Sequence, residues 1–489
     1  MQPTSKATSQ AISQANNPSA DHPTIVVGGG FVGLFTALHL SHQNYPHPIL
    51  LIEQNDRFSF KPLLYELLSH ELHSEQVYPR YQDLLAGSRV KFVQDTVTTI
   101  DLHQKQITVA SGQQYDYGNL VLALGSKTTY FHTPGADRHT FPLTNGAEAI
   151  ALRRHLQTRL HQALQLKTCA ERRALLTVAI VGAGPAGIEL ACTLADLLPI
   201  WYDELGGDSH EIRIVLVNRS RELLKGDINS QLRCTVQRTL KQRQVEFLFD
   251  AAVSEIQSDR LHYQQHKQDH TLNAGTIVWT AGTSPNPLLM TLPVAAENRD
   301  PRGRLIVTPM LQLPEFPEVF AAGDCAITPS NPQPPTAQVA YQQGQAIAQN
   351  LKLQTEGKSL LPVQVYLRGT LMKLGLNEGV ANLFNKVQIK GQPGHLMRQA
   401  TYLRLLPTPA HNARITTEWL TDELLQRHRP FTPMQLGQTP FLQGMAAIAA
   451  SLILASPLAW RAAQPQQFQQ SLHWSGIPTL LDRWVTAKR

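Results

Sequence analysis

TIVVGGGFVGLFTALHL, from Thr24 to Leu40, returns in a second form as TVAIVGAGPAGIELACTLADLL, from Thr177 to Leu198. Each stretch opens on an aliphatic run, Ile25 to Val27 in the first and Val178 to Val181 in the second. Such runs lack polar alternation, as a strand buried on both faces of a parallel sheet requires. Three glycines follow as G-x-G-x-x-G: Gly28, Gly30 and Gly33, then Gly182, Gly184 and Gly187. Both motifs continue into an apolar helix. A dinucleotide pyrophosphate needs these parts in this order: a tight turn, a backbone close enough to donate N–H groups, and a helix N-terminus. One motif alone could be a turn whose glycines merely pack. Two, each in its own strand–turn–helix context, predict two dinucleotide sites.

Outward from the first turn, ILLIEQ reads as a second strand ending in Glu53, a carboxylate able to accept ribose hydroxyls. In RFSFKPLLYELLSHEL, Pro62 and Leu63 either pack in a core or lie by a flavin ring. The strand Leu120–Leu124 stops at Gly125, which lets backbone pass close to a cofactor. FPEVFAAGDCA puts Gly323 and Asp324 just past another strand, where Asp324 could accept ribityl hydroxyls and backbone N–H groups could meet phosphate. Cys325 has no thiol nearby and reads as packing. The helix after Pro334 and Pro335 sets Gln338, Gln342 and Gln345 on one side, among the small residues Ala337, Ala340 and Ala346. Small residues allow close approach to a flavin ring, and glutamine amides could bond a quinone carbonyl; a solvated face of a core helix is the plainer alternative.

Around the second turn, EIRIVLVNRS ends in Asn218 where an acid is usual, followed by Arg219 and Arg221. An acid there repels a 2′-phosphate and arginine accommodates it, so NADPH should serve at least as well as NADH. Solvated surface arginines are the other reading. Gly282 follows the strand in TIVWTAGTSPNPLL. Glu189, two residues past Gly187, should stay ionised by the helix N-terminus. It could face nicotinamide, pass a proton toward an acceptor, or only complement the dipole. Residues from Pro199 to Glu211 read as a loop insertion. Two dinucleotide sites are most economically a bound FAD and a dissociable NADPH or NADH.

At 489 residues, with 42% hydrophobic side chains, the chain can bury about three cores. A net charge of +6 without a basic block argues against nucleic acid. The four cysteines, Cys169, Cys192, Cys234 and Cys325, form no CxxC, which argues against a zinc module and a dithiol relay.

The first 22 residues have no apolar core for a secretory signal and read as a disordered tail. From Pro430 to Trp460 no side chain is charged. Phe441–Trp460 has the length of a membrane span, but Gln443, Ser451, Ser456 and Pro457 weaken it. Leu480, Leu481, Trp484 and Val485 recur at helical spacing. A tail lying on a membrane surface is expected, with docking on the body or on a partner subunit as the alternative.

The arrangement resembles flavoproteins built from two nested dinucleotide folds, the pyridine nucleotide-disulfide oxidoreductase-like group, and within them type II NAD(P)H:quinone oxidoreductases. The residues carrying this are GlyIleGlu at 187–189, GlyAspCysAla at 323–326, AlaGlnValAlaTyrGln at 337–342 and LysLeuGlyLeuAsnGluGlyValAla at 373–381. The resemblance implies non-covalent FAD held by Gly28, Gly30, Gly33, Glu53 and Asp324. It implies a quinone site at Gln338 and Gln342, and a proton route at Glu189 between nicotinamide and quinone. The implied reaction passes a hydride from NADPH or NADH to flavin, then two electrons and two protons to a membrane quinone. A homodimer is left open. Asn218 and the long tail look like the cyanobacterial and plastid branch, which implies demethylphylloquinone as acceptor in phylloquinone synthesis and a peripheral place on the cytoplasmic face of a thylakoid or plasma membrane. A ferredoxin or rubredoxin reductase, a respiratory-type quinone reductase, and a non-catalytic flavin-binding assembly protein are the rivals.

The expected fold is therefore α/β, with two nested Rossmann-like domains, a smaller α+β C-terminal domain and an apolar extension. Residues 23–144 and 302–351 form a split FAD lobe, 145–301 the NAD(P)H lobe, 352–429 the C-terminal lobe and 430–489 the extension.

Overall fold

Strand β1 (Thr24–Val27) is buried along its whole length, and the glycine turn after it opens helix α1 (Phe31–His42). These elements belong to a computed structural model that describes residues 22–407 except 227, 368, 384–386 and 404. Residues 1–21 of the expected 1–22 tail, the end of the C-terminal lobe and the extension at 430–489 lie outside the described residues. After α1 come β2 (Ile49–Glu53), helix α2 (Leu64–Ser69), β3 (Val90–Gln94), β4 (Asn119–Leu122) and a two-residue strand β5 (Phe141–Pro142). The second repeat follows helix α3 (Gly146–Leu164). It comprises β6 (Thr177–Val181), α4 (Pro185–Glu204), β7 (Arg213–Val217), α5 (Ser230–Gln242), β8 (Glu246–Leu248) and β9 (Thr276–Trp279). The chain then forms β10 (Val319–Ala321) and α6 (Ala337–Thr355), and later β11 (Gly369–Lys373), β12 (Gly379–Leu383), β13 (Val387–Lys390) and α7 (Gly391–Leu403).

Two parallel sheets result. Their orders are β10-β4-β1-β2-β3 and β8-β7-β6-β9-β5. In each sheet the strand before a glycine turn is central, flanked by strands that cross over on opposite sides. That is the switch point where a crevice opens beyond the strand ends. The expected α/β class with two Rossmann-like sheets is the one observed. Smaller antiparallel sheets accompany them, among them β11-β12-β13.

Among the described residues the chain forms two units. One contains residues 22–56, Leu85–Ser126 and Pro285–Val365; the other contains Arg57–Leu84, Lys127–Ser284 and residues 366–407. The segment with α2 thus joins the second sheet's unit, although the chain enters and leaves it through the first. Its apolar face explains this: Tyr65 and Leu68 share a core with Leu152 and Leu156 of α3 and Leu190 and Leu194 of α4.

The stretch from Pro199 to Glu211 departs from expectation. It is helical to Glu204, and α4 runs through Pro199. An interior proline costs about 3 kcal/mol. Leu197, Leu198 and Tyr202 extend the buried stripe across it, and each buried leucine contributes roughly 1.5–3 kcal/mol. Gly207 then closes the helix end, where any Cβ would lie 2.4 Å from the Tyr202 ring.

Candidate functional site

The first glycine turn separates two kinds of glycine. Gly28 has φ +100°, and a Cβ there would sit 2.4 Å from the Ala123 carbonyl oxygen. Gly33 allows α1 to cross β1, since its Cβ would lie 1.8 Å from the Gly28 carbonyl oxygen. At Gly30, the N-cap of α1, no protein atom lies within 4 Å of that position. The space beside the helix N-terminus therefore suits a phosphate group, and the residues present fit a dinucleotide. Glu53, at the end of β2, accepts from the Gly29 N–H at 2.8 Å and from the Asn55 side chain at 2.7 Å. The carboxylate stands beside the turn with its oxygens oriented.

The same unit assembles the residues after β10. The Ser126 hydroxyl donates to Asp324 at 2.7 Å, and the Gly323 N–H donates to Gln343 at 2.9 Å. Gly125 has φ +61° and open space where a Cβ would be. Helix α6 crosses α1 at Gly344, whose Cβ would be 2.6 Å from the Val32 carbonyl oxygen. Ala337 is its first residue. Gln338 and Gln342 are half-buried one turn apart, and the Gln342 amide donates to the Gln338 carbonyl at 3.0 Å. Ser126 and Gln343 were not anticipated. Gln343 could have been, because it falls in register with buried Val339 and Ile347.

In the second turn Gly182 has φ +112°, and Gly187 would bring a Cβ within 1.9 Å of the Gly182 carbonyl oxygen. Gly184 caps α4 with open space beside it. Asn218 closes the turn from behind: its carbonyl accepts from the Ala183 N–H at 3.3 Å and its amide donates to the Ser220 carbonyl at 2.8 Å. Beside it lies a cavity of about 530 Å³ lined by Ala183, Gly184, Asn218, Arg219, Ser220, Glu222 and Lys225. Of the two arginines, Arg221 is paired with Asp250 at 2.5 Å, while Arg219 makes no ion pair among the described residues. Glu222 is held by Arg233 at 2.6 Å. Lys225 was not anticipated from sequence. Gly282 (φ +78°) lies under the Phe131 ring, which a Cβ would meet at 2.3 Å.

Glu189 has different surroundings from those expected. Helix α4 begins at Pro185, so Glu189 is its fifth residue, past the first turn where the dipole acts. Its side chain is buried and accepts from the Lys373 backbone N–H at 2.8 Å. Burial pushes its carboxyl up to about 7, with the Arg398 charge, the Lys373 N–H and the Tyr65 hydroxyl opposing and Glu66 assisting. The expectation that it stays ionised at the helix N-terminus is therefore corrected: past the first turn, desolvation outweighs the Arg398 charge and the two hydrogen bonds that favour the carboxylate.

Around Glu189 four charged side chains converge from distant parts of the chain. Arg398 of α7, fully buried, donates through Nη1 to Glu66 and through Nη2 to the Pro62 carbonyl, and its Nε stands 3.8 Å from Glu189. Lys373 Nζ bonds both oxygens of Glu71, at 2.9 and 2.6 Å, and lies 3.6 Å from Glu66. Burial would raise Glu66, but Arg398 and Lys373 hold it well below the usual carboxylate range. Burial and the neighbouring cations lower His395 to about 3, so its ring is neutral. Lys373 and Arg398 are thus balanced by Glu66 and Glu71, and Glu189 is the carboxyl left over. Pro62 and Leu63 sit at the margin of this cluster, in the turn before α2, with Leu63 buried. Sequence reasoning missed Glu66, Glu71 and Arg398. The available signal was a charge within an apolar helical block, LLYELL for Glu66.

Residues 22–344 match the family described as pyridine nucleotide-disulphide oxidoreductase. The chain is 31% identical over 412 residues to a demethylphylloquinone reductase of Synechocystis, covering 82% of this chain and 96% of that one. It is 29% identical over 440 residues to an alternative NAD(P)H-ubiquinone oxidoreductase of Arabidopsis thaliana, covering 82% and 81%. In fold it is similar to NDH2 of Plasmodium falciparum solved with NADH, at a TM-score of 0.74 and 19% identity, over 84% of this chain and all of that one.

Proposed function

The chain belongs to the pyridine nucleotide-disulphide oxidoreductase family, and we propose that it reduces a membrane naphthoquinone, demethylphylloquinone, with electrons from NADPH or NADH. It is an oxidoreductase with sites for FAD and NAD(P)H. When bound, FAD accepts hydride from the nicotinamide and supplies two electrons to the acceptor. In this reading Gly28, Gly30, Gly33, Glu53, Gly125, Gly323, Asp324 and Ala337 hold FAD. Gly182, Gly184, Gly187, Asn218, Arg219 and Gly282 hold the nicotinamide dinucleotide. Arg219 and Lys225 offer the 2′-phosphate two cations. Asn218 contributes by keeping the turn closed and removing the usual acid.

The observation that carries the reading is Glu189. Reducing a quinone consumes two protons with its two electrons, and a carboxyl near 7 is matched to proton transfer at neutral pH. Gln338 and Gln342 orient the acceptor's carbonyl oxygens. All four cysteines are free, and Cys192 and Cys325 are buried. Burial pushes the Cys325 thiol up to about 11.

Among the described residues no helix is long and apolar enough to cross a membrane. Attachment to the membrane surface is assigned to the segment 430–489. The test is anaerobic reduction of the holoenzyme by NADPH, followed by reoxidation with a panel of quinones. Fast reoxidation by naphthoquinones is expected. Reoxidation by ferredoxin or rubredoxin alone overturns the proposal.

A further inference from the structure

Glu189 does not act in isolation in this structure, and the distances around it are unequal. The Arg398 guanidinium turns its Nη1 edge to Glu66 and its Nη2 to the Pro62 carbonyl. Toward Glu189 it presents only Nε, at 3.8 Å and without a hydrogen bond. Glu66 and Arg398 are both wholly buried. An arginine placed between two buried carboxylates would ordinarily fork onto one of them. Here Glu66 and a backbone carbonyl have taken the fork.

We propose that Glu66 and Arg398 are positioning residues for Glu189: Glu66 and the Pro62 carbonyl hold the guanidinium short of a full ion pair with Glu189. Glu189 is thereby left as the carboxyl of the cluster that can exchange a proton. This inference rests on the reading of Glu189 as a proton carrier. Helix α2 brings Tyr65 and Glu66 to face Glu189, the strand β11 brings Lys373, α7 brings Arg398 and Tyr402, and Cys192 lies on its own helix. His395 faces Glu66, Lys373 and Arg398 and is neutral. Of these groups, Lys373 is already engaged by Glu71. Arg398 is therefore the cation whose allegiance decides the charge on Glu189.

The two partners should act in opposite directions. With Glu66→Gln, the buried guanidinium has no anion except Glu189 and closes on it, which favours the ionised carboxylate. With Arg398→Lys, a single ammonium cannot serve Glu66, the Pro62 carbonyl and Glu189 at once. It stays with Glu66, and Glu189 keeps its proton to higher pH.

The experiment follows reoxidation of the NADPH-reduced holoenzyme by a soluble naphthoquinone across pH, together with the infrared band of the protonated carboxyl. Folding and loading are judged by flavin absorbance. Wild type should lose rate and band as pH rises through neutrality. Glu66→Gln should move the midpoint down by about one pH unit, a tenfold smaller protonated fraction at high pH. Arg398→Lys should move it up. If both variants keep the wild-type midpoint, or shift it the same way, while Glu189→Gln abolishes the band and the pH limb, the positioning role is overturned and the proton role stands. If Glu189→Gln leaves band and limb unchanged, the proton role itself fails. Should Glu66→Gln not fold, the direction of the Arg398→Lys shift decides.

Discussion

The Lys373 backbone N–H donates to Glu189 at 2.8 Å across 184 residues of sequence. That bond fixes one carboxylate oxygen, while the Lys373 ammonium turns away to Glu71. One residue thus orients Glu189 without neutralising it.

A stability test follows from the sign of the Glu189 shift. Its folded value, about 7, lies above its ordinary 4.5. The folded state therefore holds the proton more tightly, and stability falls as pH rises from about 4.5 through about 7. Glu189→Gln removes this loss and keeps an oxygen for the Lys373 N–H. The variant's Tm relative to wild type should climb between about pH 5 and pH 8, by the equivalent of on the order of 3 kcal/mol. A pH-independent difference would count against a buried, protonated Glu189.

Neighbouring glycines should fail differently. Gly33→Ala puts a methyl 1.8 Å from the Gly28 carbonyl oxygen and should cost folding of the first unit, read as loss of soluble protein. Gly30→Ala meets no protein atom within 4 Å, so the chain should fold yet bind FAD at least about tenfold more weakly. FAD titration of the purified apoprotein separates them. Equal FAD affinity in Gly30→Ala and wild type would remove that turn from the flavin site.

Cofactor preference should reside in Arg219. Because Arg221 is committed to Asp250, Arg219→Ala should lower kcat/KM for NADPH by about tenfold, the weight of about 1.4 kcal/mol. The value for NADH should change little. A native enzyme favouring NADH by more than tenfold would contradict the assignment.

Gln338→Phe fills the space offered to the acceptor but keeps the backbone carbonyl that Gln342 uses. Stopped-flow traces should show slowed reoxidation by quinone with flavin bleaching by NADPH intact. Equal loss in both half-reactions would place Gln338 elsewhere.

The glycine turns were legible in the sequence because their causes are local. A buried aliphatic strand, a positive φ at Gly28 or Gly182 and a helix start depend on residues a few positions apart, and period and sterics are written there. The same holds for Glu53 at the end of its strand. Tertiary structure alone decided the rest. Arg398 lies 332 residues from Glu66, and Arg221 is separated from Asp250 by a whole helix. Nothing in either segment announces the other. Whether Glu189 is charged was likewise undecidable from its place in a helix, since proton affinity depends on burial and through-space distance to other charges. Those quantities exist only once α2, α4, β11 and α7 have packed together.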